Sequence, residues 1–173
     1  MSVKTELTDL TRVMEKLRSE AFVDKSKMSL FGASQGGVVA SLYAAAYPDR
    51  VHKLMLIFPA FVLFDDAKET YRELGSPDFD QLPDSLTHHN ATLGKIYLID
   101  ALDIDIQAEQ AKITAPTLII HGTDDSVVPY QYAVQASQTI PNAELVTVEG
   151  GEHRIDERFA ITAAPAIQKF LKE

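Results

Sequence analysis

The sequence predicts an α/β fold: a mainly parallel sheet of about four strands, flanked by helices. Three observations predict it. Apolar segments of strand length alternate with helical patterns, and these segments are too continuously apolar to be half-exposed antiparallel strands. The chain has 173 residues, 46% of them hydrophobic, which is enough for one hydrophobic core. We therefore expect a single domain over residues 1–173.

The first part of the chain predicts a helix, a strand, a tight turn and a second helix. Apolar residues at helical spacing, with charged residues between them, predict an amphipathic helix that ends near Ala21. A short strand is expected over Lys27–Gly32. After the turn, a helix of small residues runs over Val38–Tyr47 and is stopped by Pro48.

The remaining strands and helices follow in alternation. Apolar runs predict strands over Val51–Pro59, Pro116–Gly122 and Ala143–Val148. Helices are predicted over Tyr130–Ile140 and Phe159–Leu171. The resulting order, strand and helix in turn, is typical of a parallel sheet.

The long connection between the second and third predicted strands indicates an insertion. A crossover usually needs one helix and two short loops, whereas about fifty residues, Ala60–Ala115, separate these strands. We expect a helix or a helix pair in it, up to Ile113. We interpret the stretch, about residues 60–112, as a lid over the carboxyl ends of the strands.

One motif predicts a nucleophile. Gly32–Gly36 reads G-x-S-x-G between a predicted strand and a predicted helix, the context of a nucleophile elbow, with Ser34 as the nucleophile. Small neighbours permit the sharp turn, and the following helix directs N–H groups toward a developing oxyanion. The alternatives are a small-residue turn leading into a packed helix, or a phosphate-binding glycine loop.

A serine nucleophile requires a base and an acid, and both occur later in the chain. Asp125 lies in the turn after the third predicted strand and is our candidate acid; Asp124 is the alternative, because spacing alone does not fix the register. Either carboxylate could also belong to a solvated turn. His153, in a glycine-rich loop after the fourth strand, is the candidate base. The chain order Ser, Asp, His matches this hydrolase layout.

Composition argues against several other functions. An excess of Asp and Glu over Lys and Arg (25 against 16) gives a net charge of −9, which disfavours nucleic acid and anionic membranes. Cysteine is absent, so disulfides and thiolate chemistry are excluded. No apolar run approaches the length of a membrane span, and the N-terminus does not resemble a signal peptide. We expect a cytoplasmic protein.

The remaining histidines do not suggest a metal site. His121 is expected to pack or to hydrogen-bond at a strand end, and His52 to be exposed. His88 and His89 are adjacent and would not share a helical face. No histidine and carboxylate pattern has the spacing of metal ligands, so no metal is predicted.

Four short segments resemble one protein family. GASQGG around Ser34, HGTDDSVVP with Asp125, GGEH with His153, and GKIYLIDA over Gly94–Ala101 resemble the α/β-hydrolase superfamily, and within it the bacterial cinnamoyl (feruloyl) esterases. The resemblance implies a serine carboxylesterase that acts on small-molecule esters without a cofactor, and it suggests esters of hydroxycinnamic acids as substrates.

The same resemblance implies roles for three further residues. The backbone N–H of Gln35 matches an oxyanion donor of the family. Tyr97 and Asp66, in the lid, occupy positions similar to substrate contacts. Alternatively, Tyr97 is a buried lid aromatic and Asp66 a solvated charge.

The chain also departs from the family. Members begin with several further strands, and a second oxyanion donor comes from an HG-type loop after one of them. The resemblance therefore implies an N-terminally truncated, partial α/β-hydrolase fold. The strand Lys27–Phe31 would then be an exposed edge, and we expect it to pair with a second copy of the chain or a complementary fragment.

Two other functions remain open at this point. One is a weakly active or inactive hydrolase remnant, because loss of one oxyanion donor costs about 10² to 10³ in turnover. The other is a serine peptidase of the prolyl-oligopeptidase branch, which shares these motifs.

Overall fold

A computed structural model describes residues 2–88 and 91–172. Its main sheet has four parallel strands in the order β1-β2-β5-β6. Their bounds are β1 Leu30–Ala33, β2 Leu54–Ile57, β5 Thr117–Gly122 and β6 Ala143–Val148. Every residue of β2 and β5 is buried, which accounts for their continuous apolar sequences. The predicted α/β fold with a mainly parallel sheet is confirmed.

Helices cover the sheet and follow the predicted order. Their bounds are α1 Val3–Ser19, α2 Gln35–Ala46, α3 Leu63–Glu73, α4 Lys95–Leu102, α5 Ile106–Gln110, α6 Gln131–Thr139 and α7 Glu157–Lys172. The small side chains of α2 let it pack closely, and its residues from Gly37 to Ala45 are all buried. One residue, Ser34, separates the end of β1 from the start of α2.

The strand β1 is shorter and later than predicted. The sequence predicts it over residues 27–32, but Asp24 organises a turn there: its carboxylate accepts the Ser26 N–H, and its carbonyl accepts the Lys27 N–H. The strand therefore starts at Leu30. Within the described residues β1 is at an edge of the sheet, and Phe31 on it is 55% exposed.

The connection between β2 and β5, residues 58–116, is called the insertion below. It holds α3, α4 and α5 and also an antiparallel hairpin, β3 Ser85–His88 with β4 Ala91–Gly94. We predicted only helices here. The SLTH and ATLG segments alternate in the strand pattern and meet at His89 and Asn90, which lie outside the described residues. Of the two adjacent histidines considered in the sequence analysis, His88 is the last residue of β3 and His89 lies outside the described residues.

The second half of the sheet matches the sequence prediction closely. β6 has the predicted bounds, and α6 and α7 differ from prediction by one or two residues at each end. Within residues 2–88 and 91–172, no helix combines the length and apolar character needed to cross a membrane.

Candidate active site

Ser34 lies on a strained turn between β1 and α2. Its backbone angles, φ 51 and ψ −126, are unfavourable for a residue with a side chain. The turn is closed by glycine: a Cβ on Gly32 would lie 2.4 Å from the carbonyl oxygen of Gly36. This is the strand, sharp turn and helix geometry of a nucleophile elbow. The first glycine of G-x-S-x-G is required here, because a larger residue at Gly32 would not fit.

The side chains of Ser34, His153 and Asp125 form one hydrogen-bonded chain. His153 Nδ1 is 2.7 Å from Asp125 Oδ2, and His153 Nε2 is 3.0 Å from Ser34 Oγ. Because a carboxylate only accepts, Nδ1 carries the ring proton and donates a hydrogen bond to Asp125. The lone pair of Nε2 then faces Ser34, whose O–H donates to it. A proton acceptor is therefore already in place for this hydroxyl.

The geometry selects between the two neighbouring carboxylates. The Asp125 side chain is fully buried, and its Oδ1 accepts the backbone N–H groups of Val127 and Val128 at 2.9 and 2.8 Å. Asp124 is exposed and accepts from the hydroxyl of Thr123. The Asp125 carboxylate thus belongs to the series of hydrogen bonds that reaches Ser34, whereas the Asp124 carboxylate faces solvent.

The loop that carries His153 is fixed by glycine and by an aromatic ring. Gly150 has φ 65, and a Cβ on Gly122 would lie 2.1 Å from the carbonyl oxygen of Gly151. The ring of Phe58 contacts the His153 ring, with centroids 4.4 Å apart. Phe58 follows β2 and has φ 34, a second strained residue beside the site. The sequence does not predict this contact, because it joins two residues that are distant in sequence.

His121 lies behind the acid. It is fully buried at the end of β5, as expected for a packed, hydrogen-bonded histidine. Its Nε2 lies 2.9 Å from the Val128 carbonyl oxygen and 3.2 Å from Asp125 Oδ2. Burial lowers the pKa of His121, against the opposing effects of Val128 and Asp125. His52, the other histidine considered above, is exposed.

Gln35 starts α2, so its backbone N–H has no acceptor within the helix. The neighbouring Ser34 N–H is occupied, because it donates to the Ile57 carbonyl at 3.0 Å. The Gln35 N–H therefore stands where the sequence predicts an oxyanion donor, beside the Ser34 hydroxyl and at the positive end of α2.

The side chain of Gln35 makes contacts that the sequence did not predict. Its Nε2 donates to both carboxylate oxygens of Glu6 in α1, at 2.8 and 2.9 Å. Its Oε1 accepts the Tyr97 hydroxyl at 3.1 Å. Burial, together with the carboxylates of Glu6 and Asp66, raises the pKa of Tyr97. One side chain thus connects the elbow to α1 and to α4 of the insertion.

The two predicted substrate contacts meet in one pocket. Asp66 on α3 and Tyr97 on α4 line a small, mostly apolar pocket within the insertion. Its other lining residues are Leu63, Ala67, Thr70, Leu86, Leu93, Gly94 and Leu98. Neither Ser34 nor His153 lines it. The structure therefore brings Asp66 and Tyr97 together. The pocket is connected to the elbow by the hydrogen bond from the Tyr97 hydroxyl to Gln35.

The arrangement offers acid, base and nucleophile chemistry. Over residues 2–88 and 91–172, no group of three or more histidine, aspartate and glutamate side chains is placed to hold a metal ion.

Comparison with protein families identifies the family. A model of the prolyl oligopeptidase family matches residues 3–173. The chain belongs to the prolyl oligopeptidase family.

Solved structures give the fold of this family member. Est1E from Butyrivibrio proteoclasticus matches 99% of the chain with a TM-score of 0.87 and 29% identity, and the match covers 70% of Est1E. A structure of Est1E with ferulic acid bound matches 99% of the chain with a TM-score of 0.85 and covers 68% of that protein. The expected resemblance to α/β-hydrolases and their feruloyl esterases is confirmed at the level of the fold.

Curated relatives match over shorter stretches. RutD of Stutzerimonas stutzeri, named as a candidate carbamate hydrolase, is 39% identical over 70 residues, which are 40% of this chain and 26% of RutD. The AB hydrolase superfamily protein YisY of Bacillus subtilis is 29% identical over 157 residues, 72% of this chain and 59% of YisY. The chain thus spans about a quarter of the first relative and just over half of the second.

Proposed function

We propose that the protein is a serine hydrolase of carboxylic esters that works through an acyl-enzyme. The observation that carries the proposal is the continuous hydrogen-bonded chain from Ser34 through His153 to Asp125. In the proposed roles Ser34 is the nucleophile, His153 the general base and acid, and Asp125 the residue that orients and stabilises the imidazole.

The proposed reaction has two halves. Ser34 Oγ forms a bond to the ester carbonyl carbon while its proton passes to His153 Nε2, and the resulting oxyanion accepts from the Gln35 N–H. The bond to the alcohol oxygen then breaks, and His153 returns the proton to the leaving alcohol. Water next attacks the acyl-Ser34 ester by the same route, which releases the acid and restores the serine hydroxyl.

We further propose esters of hydroxycinnamic acids as the substrate class. Est1E, which matches nearly the whole chain, binds ferulic acid. The insertion pocket has apolar walls suited to an aromatic ring, with the Tyr97 hydroxyl and the Asp66 carboxylate as polar partners for ring hydroxyls.

The test is the intact mass of the protein after exposure to a fluorophosphonate. An activated serine displaces fluoride and forms an Oγ to phosphorus bond, even where turnover is slow. We expect one adduct on the wild type and on Ser137→Ala, a matched loss of a hydroxyl on α6, and no adduct on Ser34→Ala. Folded wild-type protein without an adduct would contradict the proposal and favour an inactive remnant.

A second candidate is a serine peptidase, which the match to the prolyl oligopeptidase family favours. Ester and peptide substrates distinguish the two. We expect hydrolysis of methyl ferulate to exceed that of a prolyl peptide anilide, and the reverse order would transfer the proposal to the peptidase.

The partner of the sheet edge is also a proposal. β1 is at an edge and Phe31 on it is exposed, so we propose that β1 pairs with a second copy of the chain or with a complementary fragment. Sedimentation of the purified chain should show a dimer that Phe31→Lys weakens. A monomer at all concentrations would exclude the second copy.

A further inference from the structure

His121 is a buried, titratable side chain that the proposed reaction does not use. It is fully buried at the end of β5, four residues before Asp125, and the edge of its ring faces the Tyr130 ring. Its Nε2 and the Nδ1 of His153 both approach the same carboxylate oxygen, Asp125 Oδ2. Two imidazoles therefore share one oxygen of the acid.

The contacts of His121 define its tautomer. Nε2 lies 2.9 Å from the Val128 carbonyl oxygen, which can only accept, so Nε2 carries a proton. The same nitrogen lies 3.2 Å from Asp125 Oδ2, the oxygen that also accepts from His153. The Nε2–H of His121 therefore donates to the loop backbone and also lies next to the carboxylate of the acid.

The other ring nitrogen shows that His121 is neutral. Within the described residues Nδ1 is buried without a hydrogen-bond partner. A proton there would be an unpaired buried donor on a charged ring, which is costly. The groups that face the ring are the Asp125 carboxylate, the His153 imidazole and the Tyr130 ring, and burial outweighs the carboxylate in lowering the pKa of His121.

We infer that His121 is a positioning residue for the acid: its neutral Nε2–H holds Asp125 Oδ2 in line with His153 and reduces the negative charge that His153 experiences. This inference rests on the proposed function. It goes beyond the roles of Ser34, His153 and Asp125, because it makes the position of the Asp125 carboxylate depend on a fourth residue that is fully buried.

Two substitutions separate this role from simple packing. His121→Gln can keep an N–H near the position of Nε2, whereas His121→Met fills a similar volume without a donor. Without the donor, Asp125 should stabilise protonated His153 more strongly. For His121→Met we therefore expect the pH midpoint of fluorophosphonate labelling to rise by about half to one unit, with labelling about three- to tenfold slower below it.

His121→Gln is expected to keep the wild-type midpoint and to label within about twofold of the wild-type rate. An unchanged or lowered midpoint in His121→Met overturns the inference. So does a His121→Gln variant that behaves like His121→Met, since a purely structural role would make no distinction based on the donor.

A nuclear magnetic resonance titration tests the inference even if the wild type takes no label. The His121 ring signals, assigned by their loss in His121→Gln, should show a neutral Nε2–H tautomer from about pH 5.5 to about pH 8. Protonation of His121 with a midpoint near 6.5, or an Nδ1–H tautomer, overturns it. Absence of labelling with these signals intact would count against the proposed function alone.

Discussion

The three loops at the strand ends and the insertion are held in place in different ways. The strand-end loops are fixed by backbone contacts: the Ser34 N–H donates to Ile57, and the Asp124 N–H donates to the Gly151 carbonyl at 2.9 Å. Helix α4 of the insertion reaches the same site through a side chain, the Tyr97 hydroxyl on Gln35. The start of the insertion is held by backbone like the strand-end loops, because the Ala60 N–H donates to the Ser34 carbonyl at 3.0 Å. Backbone contacts leave less freedom of position than a single hydroxyl at the end of a side chain.

This difference corresponds to a division of labour. The groups proposed for chemistry need positions accurate to a fraction of an ångström, and they lie on the rigid strand ends. The groups proposed for substrate contact lie on α3 and α4, and the contact from α4 to the elbow is the hydrogen bond from the Tyr97 hydroxyl to Gln35. The strand-end region should therefore tolerate few substitutions, and the insertion many.

The largest effect should come from the acid. Asp125→Asn removes the acceptor that fixes the tautomer and orientation of His153, so labelling of Ser34 should slow by about 10⁴. Asp124→Asn, one residue away and exposed, should stay within about threefold of wild type. Labelling rates by intact mass measure both. Equal losses in the two variants would show that the hydrogen bond to Asp125 does not decide the reactivity.

The next effect concerns the close contact between two loops. A Cβ on Gly122 would lie 2.1 Å from the Gly151 carbonyl oxygen, so Gly122→Ala should lower the free energy of unfolding by about 3 kcal/mol or more. Gly36 has nothing within 4 Å of an added Cβ, and Gly36→Ala in α2 should change stability by less than about 1 kcal/mol. Urea unfolding compares them. Equal midpoints would mean that the strand-end loops are not rigidly held.

Much of the fold could be predicted from the sequence because local patterns and tertiary packing agree. β6 was predicted with its observed bounds, since Ala143–Val148 lies between clear turn signals. The hairpin of the insertion was missed. Its two four-residue strands pair with each other outside the main sheet, and segments this short leave helix and strand ambiguous.

The candidate site was predictable wherever a backbone constraint left a mark in the sequence. Gly32 before Ser34, and Gly150 and Gly151 before His153, are such marks, because a side chain at these positions would clash or be strained. The choice between Asp124 and Asp125 needed the structure, since it depends on which carboxylate the turn directs inward. The contacts of Phe58 with His153, and of Gln35 with Tyr97, join residues distant in sequence and follow no local pattern.

A smaller effect is expected in the insertion. Tyr97→Phe removes the hydroxyl that donates to Gln35 and that we propose for ring hydroxyls of the substrate. We expect kcat/KM for methyl ferulate to fall about five- to tenfold, while that for a short alkyl ester changes less than about twofold.

Tyr71→Phe is the matched control for this change. It also removes one hydroxyl bond within the insertion, from Tyr71 to the Pro77 carbonyl at 2.7 Å, but away from the elbow. Both esters should respond alike to it. If Tyr97→Phe affected both esters equally, the hydroxyl would support the fold of the insertion and not the choice of substrate.

The smallest effect is a pH dependence of stability that arises in the strand-end region. Burial lowers the pKa of His121 in the folded protein, whereas an unfolded histidine titrates near 6.5. As the pH falls below about 6.5 the unfolded chain gains a proton that the folded protein does not, so stability is lost on acidification. One such group contributes at most about 0.7 kcal/mol between pH 7 and pH 6. Urea unfolding at both pH values should show this loss in the wild type beyond that in His121→Gln, which cannot take the proton. If both lose the same amount, His121 accepts a proton in the folded protein, and the strand-end region is less tightly closed than its contacts indicate.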